Sequence, residues 1–276
     1  MVKYVIDSAS DLKEYPGIDL NLVPLTLATD DKQFVDDKYL NVPEVLDFFS
    51  KHHGRSFTSC PSTQAWLDAY EGGDEIYVVT ITSGLSGTYN GANVAKDQYL
   101  SEHPDSKICI VDSLATGPGE VLLMEKIVEL KAQGKSFEEV SKEIIDYRNH
   151  LRLFFGLGSL HNLAQNGRVS KLVASAVGIM NIRVLGTASK EGKIDSIGKF
   201  RGEKKLLSGI LEEIKKTGYK NGKIRICHVE NQALSLSLEE ALKEEFGQVD
   251  IKSIPAGGLC SFYAERNGII VGVECM

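Results

Sequence analysis

The sequence predicts an α/β fold of two lobes, residues 1–150 and 151–276, in which mostly parallel sheets are flanked by helices. Three observations carry this. Short β-branched runs at 3–6, 75–81 and 107–111 are each followed by polar or glycine-rich residues and then a helical pattern, the rhythm of strands laid parallel. Strands and helices alternate from end to end, which calls for helices on both faces of a sheet. A chain of 276 residues is too long for one ordinary core and short for three.

In the first lobe the spacing predicts helices near 42–52, 62–71, 86–99, 118–133 and 136–150. Asn41-x-x-Glu44, with Pro43 in the first turn, and Ser136-x-x-Glu139 are capping-box patterns, and Gly134 closes the helix before the second of them. In the second lobe strands are expected at 153–157, 182–185, 193–197, 223–229, 249–254 and 268–273, with helices near 170–177, 203–217 and 235–246. No Pro/Gly/Ser run marks the break near 150, so the lobes are expected to pack together.

Composition narrows the function. Hydrophobic residues make up 42% and charged residues 25% of the chain, ordinary values for a globular protein, and no apolar run approaches the roughly 18 residues of a membrane span. The apolar stretch at residues 1–6 is too brief for a signal-peptide core and reads as a first strand. A net charge of -7 works against a nucleic-acid partner, which needs clustered Lys and Arg. Five cysteines, odd in number and without ligand spacing, fit reduced thiols in a cytoplasm. The histidines show no metal-binding pattern.

Ligands in open parallel sheets sit beyond the carboxyl ends of strands, so the loops there are the places to look for chemistry. Thr82-Ser83-Gly84-Leu85-Ser86-Gly87-Thr88 offers hydroxyls, free N–H groups and a helix start, a combination suited to an anion. It lacks the lysine of a P-loop and the final glycine of a nucleophile elbow. Thr58-Ser59-Cys60-Pro61-Ser62 reads as a hydroxyl-rich turn with Ser62 as N-cap. Arg168 follows a turn glycine, where its guanidinium could meet a carboxylate or phosphate or simply be solvated. Asp7 and Asp112 end strands and read first as caps or Asx turns. The basic group Lys199, Arg201, Lys204 and Lys205 reads as a solvated helix start, and the apolar run 174–180 as core.

Together these segments resemble the DegV family, in the same order and over nearly the whole chain. The pieces that carry the resemblance are Ile6-Asp7-Ser8-Ala9-Ser10-Asp11-Leu12, Thr58-Ser59-Cys60-Pro61-Ser62, Ser83-Gly84-Leu85-Ser86-Gly87-Thr88-Tyr89, Asp112-Ser113, Asn166-Gly167-Arg168-Val169 and Phe200-Arg201-Gly202-Glu203-Lys204-Lys205. The resemblance implies a two-lobed protein holding a long-chain fatty acid in an internal tunnel, with no other cofactor. Some members hand the acid to a separate ATP-dependent fatty-acid kinase. By motif, Thr58 and Ser83 would hold the carboxylate, Ser86 and Gly84 would shape the loop, and Arg168 would be the cationic partner. Arg201 would lie on the partner-facing surface.

This chain departs from the family pattern twice. Cys60 stands where Gln is common, and Tyr263 stands where a late His is common. Tyr263 can offer a hydrogen bond near the head group but no imidazole charge. Burying about 14 methylenes at roughly 0.8 kcal/mol each gives about 11 kcal/mol gross, enough to outweigh ordering costs of several kcal/mol. The alternative is a serine-dependent hydrolase acting on acyl esters, using Ser86 or Ser83 with Asp112 or His228. Against it stand the missing elbow and the lack of a histidine in these loops.

Overall fold

The computed structural model describes residues 1–169 and 181–275; the expected helix at 170–177 and the run 174–180 lie outside them. In the first half, β1 (Val2–Asp7), β2 (Leu20–Val23), β6 (Glu75–Thr80) and β7 (Lys107–Asp112) form an all-parallel sheet in the order β2-β1-β6-β7. Residues 76–80 of β6 are all buried, the uninterrupted burial of a strand covered on both faces. One face packs on α2 (Thr63–Tyr70) and α3 (Thr88–Glu102) through Trp66, Tyr70, Ala92 and Tyr99. The other packs on α4 (Pro118–Ala132) and α5 (Phe137–Asn149) through Leu123, Met124, Ile127, Val140 and Ile144. Ser136 and Glu139 form the expected reciprocal cap of α5, and Asn41 accepts the Glu44 N–H at the start of α1 (Val42–Lys51).

A small antiparallel sheet of β3 (Thr26–Thr29), β4 (Gln33–Val35) and β5 (Ser56–Ser59) was not legible in the sequence. It corrects one expectation: Thr58 sits on a strand, opposite Leu27, not in a turn. Ser62 does cap α2, accepting the Ala65 N–H at 3.2 Å.

The six-stranded sheet of the second half has the order β10-β9-β8-β13-β11-β12, built from β8 (Leu151–Leu157), β9 (Ile182–Ala188), β10 (Ile194–Arg201), β11 (Lys223–His228), β12 (Asp250–Pro255) and β13 (Ile269–Glu274). Between its strands lie α6 (His161–Gln165), α7 (Glu203–Lys216), α8 (Gln232–Phe246) and α9 (Gly258–Ala264). The α/β class holds, but the expectation of mostly parallel pairing fails here, because only β11 and β12 run parallel. That pair is joined by a long helical crossover, α8. β9 and β10 are instead joined by a tight turn, closed by Ser189 N–H to the Lys193 carbonyl at 2.8 Å, which forces them antiparallel.

Alternation along β8 divides the sheet's two faces. Phe154 faces outward to α7 and α8, joining Leu206, Ile210 and Leu238. Leu153, Phe155 and Leu157 face inward, with Val184 and Ile270. No helix among the described residues is long and apolar enough to cross a membrane.

Candidate functional site: an apolar channel with a polar end

Leu153, Phe155 and Leu157 of β8 and Ile270 of β13 form one wall of a channel. Leu259 and Cys260 of α9 and Ile81 and Leu85 from the loop after β6 face them. The space between these walls, open solvent at its mouth included, is about 810 Å³. Its lining is almost wholly hydrocarbon.

One end is polar. Thr58, Ser86, Arg168 and Tyr263 all line the channel. Thr58 arrives on β5, Tyr263 on α9, Ser86 in the loop before α3, and Arg168 after the turn that ends α6. The Thr58 hydroxyl and Tyr263 phenol are 2.7 Å apart, and the Arg168 guanidinium lies 5.9 Å from the Tyr263 ring centroid. Burial pushes the Tyr263 phenol up in pKa, while its bond to Thr58 and the Arg168 charge pull it down. Arg168 donates from Nε to the Leu85 carbonyl at 3.2 Å and from Nη1 to Asn166 at 2.5 Å, which fixes the guanidinium beside the Ser86 loop. The Ser86 hydroxyl lies 2.8 Å from that of Thr88 and 3.4 Å from the Cys60 thiol.

The other residues expected at the site lie elsewhere. Ser83 is exposed and does not line the channel; its hydroxyl donates to Asp112 Oδ2 at 2.5 Å and its N–H to Oδ1 at 3.0 Å. The carboxylate at the end of β7 thus engages the first serine of the loop and leaves the second facing the channel. Gly84 lies where the loop passes close to the β9–β10 turn: a Cβ there would lie 2.5 Å from the Glu191 carbonyl. That turn was missed as part of the site, although Lys190-Glu191-Gly192-Lys193 carries a turn signal. Arg201 ends β10 on the exposed surface, away from the channel. Asp7 caps the turn that follows β1, accepting the Ala9 N–H at 2.9 Å, and also accepts the Ile81 N–H at 2.7 Å.

The hydrolase reading needs an imidazole between serine and carboxylate. Ser83 meets Asp112 directly, and among the described residues no histidine lines the channel. His228 ends β11 and accepts the Asn231 N–H. Among the described residues no group of three or more metal-binding side chains could hold an ion.

An α/β scaffold holding an apolar channel that carries hydroxyls and a guanidinium at one end defines a class of protein built around an amphiphile with an acidic head. The chain belongs to the DegV family: the matching description, "Uncharacterised protein, DegV family", spans residues 1–274. A DegV domain-containing protein of Streptococcus pneumoniae is 42% identical over 277 residues, covering 99% of this chain and 98% of its own. Among solved structures, a DegV family protein from Eubacterium eligens loaded with heptadecanoic acid is 48% identical, with a TM-score of 0.98 and full coverage of both chains. The Streptococcus pneumoniae Fatty Acid Kinase (Fak) B3 protein loaded with linoleic acid is 40% identical, with a TM-score of 0.97, covering 100% of this chain and 99% of its own.

Proposed function

We propose that this chain binds a long-chain fatty acid with its tail in the channel and its carboxylate among Thr58, Ser86, Arg168 and Tyr263, and presents that carboxylate to a separate ATP-dependent fatty-acid kinase. The observation that carries this is the channel itself, hydrocarbon along its length and furnished at one end with two hydroxyls, a phenol and a guanidinium. A carboxylate leaving water needs donors and preferably a counter-charge, and that end offers both. The two similar structures loaded with heptadecanoic and linoleic acid support the same ligand class, and the kinase named with one of them supports the same partner. On this reading residues 1–150 and 151–276 act as two lobes, Ser83 steadies the head-group loop through Asp112, and Arg201 belongs to the kinase-facing surface. The acid is a ligand to be passed on, with no turnover by this chain.

Mass spectrometry of lipid extracted from purified protein tests the ligand. Long acyl chains are expected, and Arg168→Met should lower occupancy of the acid more than that of the matching fatty alcohol. Protein that carries no lipid and takes up none when offered overturns the reading. For the partner, Arg201→Ala should slow ATP-dependent acyl-phosphate formation with the kinase while lipid content stays unchanged.

A further inference from the structure

Midway along the wall formed by β8, the channel depends on a residue that does not line it. Leu157, Phe155 and Leu153 alternate onto the lumen over roughly 13 Å of strand, four residues at about 3.3 Å each. Leu157 ends β8, four residues before α6 begins, and Leu153 reaches the start of α4, its Cδ1 3.7 Å from where a Gly119 Cβ would be. Phe155 stands between them, directly opposite Gly186 on β9 and Ile270 on β13. Its ring occupies the space above Gly186: a Cβ built there would lie 2.3 Å from Phe155 Cζ and 2.4 Å from Cε2. Gly186 is therefore a seat for the ring, and its φ is not in the left-handed region that favours glycine for conformational reasons.

We propose that Gly186, by lacking a side chain, is a specificity-determining position that seats Phe155 against the sheet and so sets the width of the channel midway along the acyl tail. The inference rests on the fatty-acid reading. With a methyl at position 186, the ring is blocked on that flank, Ile270 occupies the other and the sheet lies beneath, so the ring's free direction is into the lumen. A narrower waist discriminates by cross-section. A straight saturated chain passes, whereas a chain bent by a cis double bond sweeps a wider path.

The test uses the full chain and competition between stearic acid and its cis-9 monounsaturated counterpart of equal length. Gly186→Ala should shift the bound ratio about tenfold toward the saturated acid, and Phe155→Leu about tenfold toward the unsaturated one, the scale of one or two methylenes in an apolar pocket. A Cβ at 186 would also lie 2.6 Å from the Asp195 carbonyl, a clash that strains the pairing of β9 with β10 in the alanine variant. Phe155→Leu then decides alone, since it only removes ring volume. A ratio unchanged in Phe155→Leu, or shifted toward the saturated acid, overturns the inference. Failure of the wild-type chain to bind either acid would instead overturn the fatty-acid reading on which it rests.

Discussion

The Thr58 hydroxyl and the Tyr263 phenol, 205 residues apart in the chain, meet at 2.7 Å. The contact joins β5 of the small sheet to α9, and it places two hydroxyl groups side by side at the polar end of the channel. The phenol's raised pKa keeps it protonated across the physiological range, so it remains a donor where a histidine would titrate.

Tyr263→Phe should therefore weaken fatty-acid binding about tenfold, the lower end of what a hydrogen bond to a charged group contributes. The loss should be the same at pH 6 and pH 8, because neither value approaches the titration of the phenol. Displacement of a fluorescent fatty acid measures it. Unchanged affinity, or a loss that appears at only one of the two pH values, would remove Tyr263 from the head-group site.

The two serines of one loop should behave differently. Ser86 lines the channel, whereas Ser83 is engaged by Asp112 through both its hydroxyl and its N–H. Ser86→Ala should lower affinity severalfold with little change in melting temperature. Ser83→Ala should lower stability by the ~1 kcal/mol typical of one hydrogen bond, and the melting temperature with it, and change affinity less than twofold. The reverse pattern in calorimetry and binding would return the carboxylate to Ser83.

Those serines also show how far the sequence could be read. Hydroxyls, glycines and a helix start mark the loop as an anion site, but which serine faces the ligand depends on Asp112, which lies 29 residues from Ser83 and is brought to it by the pairing of β6 with β7. Long elements such as β6, α4 and α5 were legible because their burial follows the apolar pattern. β2 to β5 were not, being three or four residues each with partners far along the chain. The parallel expectation failed in the second sheet because strand direction is set by connections, and the β9–β10 turn returns the chain at once. The channel wall has the composition of any core, so Phe155 and Ile270 could not be told from packing until the opposing face was in place.

Stability should carry a pH signature from buried carboxyls around α9. Asp11 accepts the Gly257 N–H at 2.7 Å and Asp36 accepts those of Gly258 and Leu259 at 2.8 Å, so acids from the first half hold the start of the helix that bears Tyr263. Burial raises the Asp11 carboxyl to about 7, with Cys227 and the Gly257 N–H pulling against it. The unfolded value is near 3.9. Between about pH 4 and 7 the folded state thus holds the extra proton, and this group's contribution to stability falls as pH rises, levelling off above 7. Asp11→Asn keeps a neutral acceptor for Gly257 and should flatten the dependence by up to about 1.4 kcal/mol per pH unit in that window. Urea denaturation of both proteins at pH 5 and pH 8 reads the difference. A wild-type chain that gains stability relative to Asp11→Asn on going to pH 8 contradicts the sign.

Away from the channel, Arg225→Met should be a strongly destabilising substitution. Arg225 on β11 is buried and grips Glu125 of α4 in a two-pronged pair, Nε to Oε1 at 2.9 Å and Nη2 to Oε2 at 2.8 Å, while its other contacts reach the Ile224 carbonyl and Asp250, whose carboxyl it holds below the usual range. Removing the guanidinium leaves Glu125 with Lys223 and Lys252 at 3.6 Å each, too long for a direct hydrogen bond to replace either prong. A buried charge left wholly uncompensated costs about 3–5 kcal/mol and the two lysines reduce that cost for Glu125, whereas replacing both partners with apolar residues can be near neutral. Arg225→Met alone should thus lower the denaturation midpoint sharply, and Arg225→Met with Glu125→Leu should recover much of the loss. A double variant no more stable than the single one would mean that the pair is needed for its own attraction and not merely for its mutual neutralisation.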